Sequence, residues 1–243
     1  MKLEDFGMDR YDRHARLRPA LIILLPLTLA AIVVTPNAYK AWTIVIGAIA
    51  QAGGSYLLSQ LVGDVGKRKE PQLFAMWGGR PTELMLSHKH APNSVQLASR
   101  HKRLVLLLKG VKIPTAAMEK ADTKAAFDVY AAAADKLRGI VRAEGEKYAH
   151  VQRENIHYGF RRNMWANRKT ALWIAVPAIV PVIAELGGHI AAHEVVDVDL
   201  PLIAIVQVLL ICYWLFVVTP NWVRRAANLY TERLLETLDS LSL

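Results

Sequence analysis

Residues 200–218 read LPLIAIVQVLLICYWLFVV, nineteen positions without one Asp, Glu, Lys, Arg or His. At 1.5 Å per residue such a helix rises about 28 Å, close to the roughly 30 Å of a bilayer's hydrocarbon core. An amphipathic helix of a soluble domain carries a polar stripe along its outer face, and this stretch has none. It reads as a membrane-spanning helix, and three further apolar stretches join it, at residues 19–34, 41–62 and 170–184, the last with a weakly polar extension to 192. The first is as free of charge as the last. The second is diluted by Gln51, Ser55, Ser59 and Gln60. A chain of 243 residues that is 53% hydrophobic but only 8% aromatic fits a small membrane protein.

The cations give the orientation. If all four stretches span, 29 of the 30 Lys and Arg residues fall on one side, with Lys40 alone on the other. Lys and Arg favour the cytoplasmic side, so both termini and the long middle region are expected in the cytoplasm, with a net charge of +12 there. The basicity, pI about 9.7, is therefore mainly a signature of topology. It adds attraction to anionic headgroups and is a poor indicator of nucleic-acid binding. The leader before Pro19 carries four acids, and no small-x-small site follows the apolar run, so the first stretch is expected to remain as a helix. Cys212, the sole cysteine, excludes an internal disulfide.

The expected fold is all-α: an integral membrane protein with four transmembrane helices arranged as two hairpins around a helical cytoplasmic domain. The expected divisions are 1–62 (N-terminal segment and first hairpin), 63–168 (basic helical domain), 169–219 (second hairpin) and 220–243 (C-terminal amphipathic helix). RPALIILLP at 18–26 aligns with KTALWIAVP at 169–177, as two hairpins of like orientation would, although generic membrane-helix composition explains it as well. VVTPN recurs at 33–37 and 217–221, where proline ends a helix. Ala48 with Ala52, and Ala50 with Gly54, place small residues four apart, a spacing that lets helix backbones approach within the chain or between copies. In the middle region, Leu97, Leu104 and Leu108, and then Phe127, Tyr130, Ala134, Leu137 and Val141, recur at helical spacing.

Two motifs stand out. GDVGKRKEPQLFAMWGGRPTEL, residues 63–84, reads as a helix ended by Gly78-Gly79 and a new one opened by Pro81, with Arg80 placed to hold a phosphate or carboxylate. It lacks the spacing of a phosphate-binding loop or dinucleotide fingerprint, and no cofactor is called for. ENIHYGFRRNMWANRKTALW, residues 154–173, crowds cations and aromatics at the threshold of an apolar helix. Trp165, Arg168, Lys169 and Trp173 fit a membrane-interface belt. Glu154, Asn155, Tyr158, Arg161, Arg162 and Asn163 ask for partners, either an anionic ligand or a buried network from Glu70 or Glu154 to the arginines that joins this helix to the glycine elbow. His189 and His193, four apart beside Glu194, are the only metal-like pair, and a short outer loop offers them no pocket. His88, Lys89, His90 and His101 read as solvated surface.

Residues 69–82 and 154–163 resemble the KEPxLxxxWGGxPT and ENIxYGFRRN elements of a family of uncharacterised bacterial inner-membrane proteins, a likeness extending from Asp12 to the last helix. The resemblance implies the bacterial inner membrane and brings no mechanism. The leading functional expectation is a protein whose basic domain binds an anionic small molecule or cytoplasmic protein and couples it to the bundle as a pore, a transporter-like device or an effector. The alternative is a structural or assembly subunit without transport, and a homo-oligomer suits either. Nothing points to an enzyme; Glu185 alone would serve a lipid-acting one.

Overall fold

The computed structural model describes residues 9–35 and 53–241, and every regular element among them is a helix. In chain order these are α1 (Asp12–Val34), α2 (Gly54–Trp77), α3 (Pro81–Leu86), α4 (Ser94–Leu107), α5 (Ala116–Ala121), α6 (Thr123–Ala143), α7 (Ala149–Ala166), α8 (Arg168–Ala191), α9 (Asp199–Val217) and α10 (Pro220–Ser240). The first turns of α1 and the last of α9 are π-helical. The chain forms two compact units, Met1–Glu70 with Gly159–Val223, and Pro71–Tyr158 with Arg224–Leu243.

Three helices, α1, α8 and α9, are long and apolar enough to cross a membrane. All belong to the first unit. The expected second span is not among them; its residues 41–52 lie outside the described residues, and the remainder opens α2, which runs on past Val62 to Trp77. Ala48, Ala50 and Ala52 also lie outside the described residues, while Gly54 is the first residue of α2.

Small residues bring these helices together. Ala171, Ala175, Ala178 and Val182 lie on one face of α8 and are buried, with α1 offering Ala20, Ile23 and Ala30. Alanine lets backbones approach, which matters where helices must pack without expelling water. The larger side chains point outward: Leu21, Leu27, Val180, Ile183, Ile205 and Leu209 are each at least half exposed. An apolar surface this extensive is what a lipid solvent accepts and water does not. Pro26, Pro177 and Pro181 sit inside these helices, each leaving unbonded the carbonyl four residues earlier. Gln207 of α9, fully buried, donates to the carbonyl of Pro26 itself at 3.1 Å and so ties α9 to α1.

The second unit follows the opposite rule. Leu104, Leu107, Tyr130, Leu137, Leu234 and Leu238 form its core, and of its charged side chains among the described residues only Arg100 and Glu119 are buried. Side chains fix the helix starts: Asn93 Oδ1 accepts from the amides of Val95 and Gln96 at 2.9 and 3.0 Å, and Asp122 caps α6 through Ala125 at 2.9 Å. The expected elbow forms between α2 and α3. Gly78 takes φ +83°, and the amides of Gly79 and Gly78 reach back to the carbonyls of Phe74 and Ala75, closing α2 with a Schellman motif.

Candidate functional site

The stretch at 154–173 is divided. Its first residues, through Tyr158, belong to the second unit, and the rest to the first. The face expected to align Asn155, Tyr158, Arg162 and Trp165 therefore serves two cores. Tyr158 is buried and its ring lies parallel to that of Tyr230, centroids 6.3 Å apart. Asn155 is half-buried. Glu154 pairs with His157 at 3.3 Å and lies 3.8 Å from Arg153, so within the described contacts it serves its own helix turn.

In the first unit the second half of the stretch builds a polar junction among α1, α2 and α7. Arg162, 6% exposed, donates through Nη1 to Glu70 Oε1 at 3.0 Å, and through Nε and Nη2 to Asn163 Oδ1 at 3.4 and 3.3 Å. Fully buried Asn163 donates in turn to the Ala15 carbonyl of α1 at 2.6 Å. One turn on, Asn167 Nδ2 reaches the carbonyls of Val62 at 3.3 Å and Asn163 at 2.8 Å. Lys69 donates to the Ala166 carbonyl, capping the end of α7. Burial, and then the cations Lys169 and Arg68, hold the Lys69 ammonium below the usual lysine range. Gly66 is the geometric condition for all this, since a methyl group there would overlap Asn163 Oδ1. Side-chain hydrogen bonds to four backbone carbonyls on three helices fix where those helices cross. Arg16 of α1 extends the seam, bonding Asp12 at 2.6 Å and Gln60 at 3.5 Å, with its Nε buried and without a partner.

The other cations are also engaged within the chain. Arg161 donates to the Trp222 carbonyl at 3.0 Å with its guanidinium 4.9 Å from the Trp222 ring centre. Arg168 donates to the Leu215 carbonyl at 2.9 Å in the π-helical end of α9. Trp165 is half-buried against the bundle core, whereas Trp173 is 80% exposed and Lys169 is exposed, as residues of an interface belt would be. Arg80 stays at the elbow, 3.6 Å from Glu83 and over the Phe74 ring, rather than joining the Glu70 network. Burial raises the Glu83 carboxyl above its usual range despite that cation.

A buried carboxylate that sequence reasoning missed lies in the second unit. Glu119, 5% exposed, accepts from Ser87 Oγ at 2.6 Å, Tyr130 Oη at 2.9 Å and the amides of His88 and Lys89 at 2.8 and 3.3 Å. Burial pushes this carboxyl up, but the four donors outweigh it and hold it below the usual range. Tyr130 is pushed up by burial and by that carboxylate. Of the group expected in solvent, His88, Lys89 and His90 are exposed and His101 is half-buried; His88 and His101 stack edge-to-face and bond the carbonyls of Pro114 and Leu86. Burial lowers the His101 imidazole. Ser87 thus faces a carboxylate and not an imidazole, and no Ser–His relay forms here. No sequence period links 87, 119 and 130.

His189 lies between Glu194, at 2.8 Å, and exposed Glu185, at 3.7 Å, rather than facing His193. Among the described residues no group of three or more His, Cys, Asp or Glu converges on a metal position. No family model, curated protein or solved structure matches the chain.

Proposed function

We propose that the chain is a bacterial inner-membrane protein of the structural and assembly type, whose basic helical unit engages an anionic partner while the polar junction keeps the bundle in register. The observation that carries this reading is Arg162: the most buried cation of the signature stretch is already bonded to Glu70 and Asn163 inside the chain. A site for a diffusible anion keeps its guanidinium accessible; a lock satisfies it internally. The basic unit supplies the partner surface, because Lys and Arg outnumber Asp and Glu by six over residues 71–158 and 224–243. Reporter fusions test the setting: Asn37 and His193 are expected to face outward, and Ser94 and Leu243 the cytoplasm. A cytoplasmic signal at His193 would overturn the hairpin of α8 and α9.

One observation favours the second reading, a pore or transporter-like bundle. Gln207 is buried in the middle of α9 with its Oε1 unpartnered, and polar groups within spanning helices often mark pathways. Reconstituted vesicles separate the two. The structural reading expects no ion or solute leak; a leak that Gln207→Leu alters would replace it with the pore reading.

A further inference from the structure

Helix α4 has two faces. Leu97, Arg100, Leu104 and Leu107 are buried in the core of the second unit. On the other side Val95, Ala98, Lys102 and Val105 follow at helical spacing, all exposed, with Leu106 beside them and exposed Lys109, Val111 and Lys112 continuing past the helix end. Val95 is 79% exposed and Val105 52%, unusual for aliphatic side chains that nothing covers. The charge is equally one-sided, since residues 84–118 contain six Lys or Arg and no Asp or Glu.

We propose that this face of α4 docks on the anionic headgroups of a phospholipid bilayer, its valines and Leu106 entering the headgroup boundary while Lys102, Lys109 and Lys112 contact phosphates. The mixture of residues selects this occupant. Aliphatic groups without aromatics offer no stacking platform for nucleic-acid bases. A second copy laid on the same face would set Lys102 against like charge, whereas an anionic bilayer accepts both the aliphatic and the cationic side chains, the long lysine stems lying along the acyl boundary. The proposal rests on the membrane reading of α1, α8 and α9, which would place such a surface within reach of the same chain.

The full chain, with Cys212→Ser and an environment-sensitive fluorophore on Ala98→Cys, would be placed in nanodiscs of brominated phosphatidylcholine, with or without brominated phosphatidylglycerol. Docking is expected to blue-shift the probe and to raise its quenching at least about twofold in the anionic discs. Lys102→Glu with Lys109→Glu should abolish that gain, and Lys102→Arg should keep it. Equal emission in both lipids, or quenching indifferent to charge reversal, overturns the proposal. So does a probe that stays wet in anionic discs but is shielded by added polyglutamate, which would assign the face to an acidic polypeptide. Failure of the chain to enter nanodiscs at all would instead break the membrane reading beneath it.

Discussion

Helices α8 and α6 are similar in length and opposite in construction. In α8 the buried residues are Ala171, Ala175, Ala178 and Val182, and the exposed ones include Trp173, Val176, Val180 and Ile183. In α6 the buried positions include Tyr130, Leu137 and Val141, while Lys124, Asp128, Asp135 and Lys136 lie outside. Large apolar groups point inward in α6 and outward in α8, the arrangement that the proposed lipid setting favours. In that setting helix contact brings no hydrophobic gain, so close backbone approach and buried hydrogen bonds hold the first unit, while leucine burial holds the second.

The sharpest way to break this contrast is at the Arg162 junction. Glu70→Leu leaves the guanidinium buried beside a leucine and is expected to cost about 3 to 5 kcal/mol, read as a lower detergent melting temperature. Adding Arg162→Leu should recover much of the loss; no recovery would mean that Glu70 acts elsewhere. Next in size is a pair of surface arginines. Val180→Arg, on the apolar outside of α8, is expected to oppose membrane insertion by about 2.5 to 3.5 kcal/mol in a glycosylation-type insertion assay. Ala132→Arg, on the exposed side of α6, should shift stability by no more than about 0.5 kcal/mol. Similar responses from the two would erase the distinction between the units.

Glu119 supplies the third test. Glu119→Gln keeps the volume but sets an NH2 group against two of the four donors, and should destabilise the second unit by about 1.5 to 3 kcal/mol at neutral pH. The folded-state pKa is depressed, so this carboxylate's contribution is complete above the unfolded value of about 4.3 and is lost as pH falls through the lower folded value. The variant's stability should accordingly respond less to acid below about pH 4.3 than the wild type's, in thermal melts across that range. An unchanged acid response would remove Glu119 from the account. The smallest effect is expected at the α8 threshold: Arg168→Lys should cost under about 1 kcal/mol, because an ammonium can also reach the Leu215 carbonyl or headgroups. Arg162→Lys should cost clearly more, and equal small shifts from both would return the stretch to a simple interfacial belt.

The apolar helices α1, α8 and α9 were legible because a charge-free run, at 19–34, 170–184 and 200–218, is a one-dimensional property. The elbow was legible because Gly78-Gly79-Arg-Pro encodes its own turn chemistry. The Arg162–Glu70 pair was half legible: buried cations need acids, but choosing between Glu70 and Glu154 requires the crossing of α2 and α7. Ala171, Ala175 and Ala178 carry the spacing of a small-residue face, but alanine is so common in apolar helices that spacing alone does not single this face out from the denser Ala and Gly run at 47–54. Glu119 was beyond reach, since it sits on the short helix α5 while its partners come from residues 87–89 and α6, joined only by tertiary packing.

The composition of the second unit bears on the order of synthesis. Its core needs Leu234, Leu235 and Leu238, which the ribosome adds only after α8 and α9 have been made. At roughly 5 to 20 residues per second, the first 88 residues of that unit, Pro71–Tyr158, wait several seconds with an open apolar face before α10 arrives. Synthesis of α8 and α9 thus comes before closure of the helical unit, so a chain stalled or cut short before α10 would present an unfinished leucine core, a natural target for chaperones and quality-control proteases.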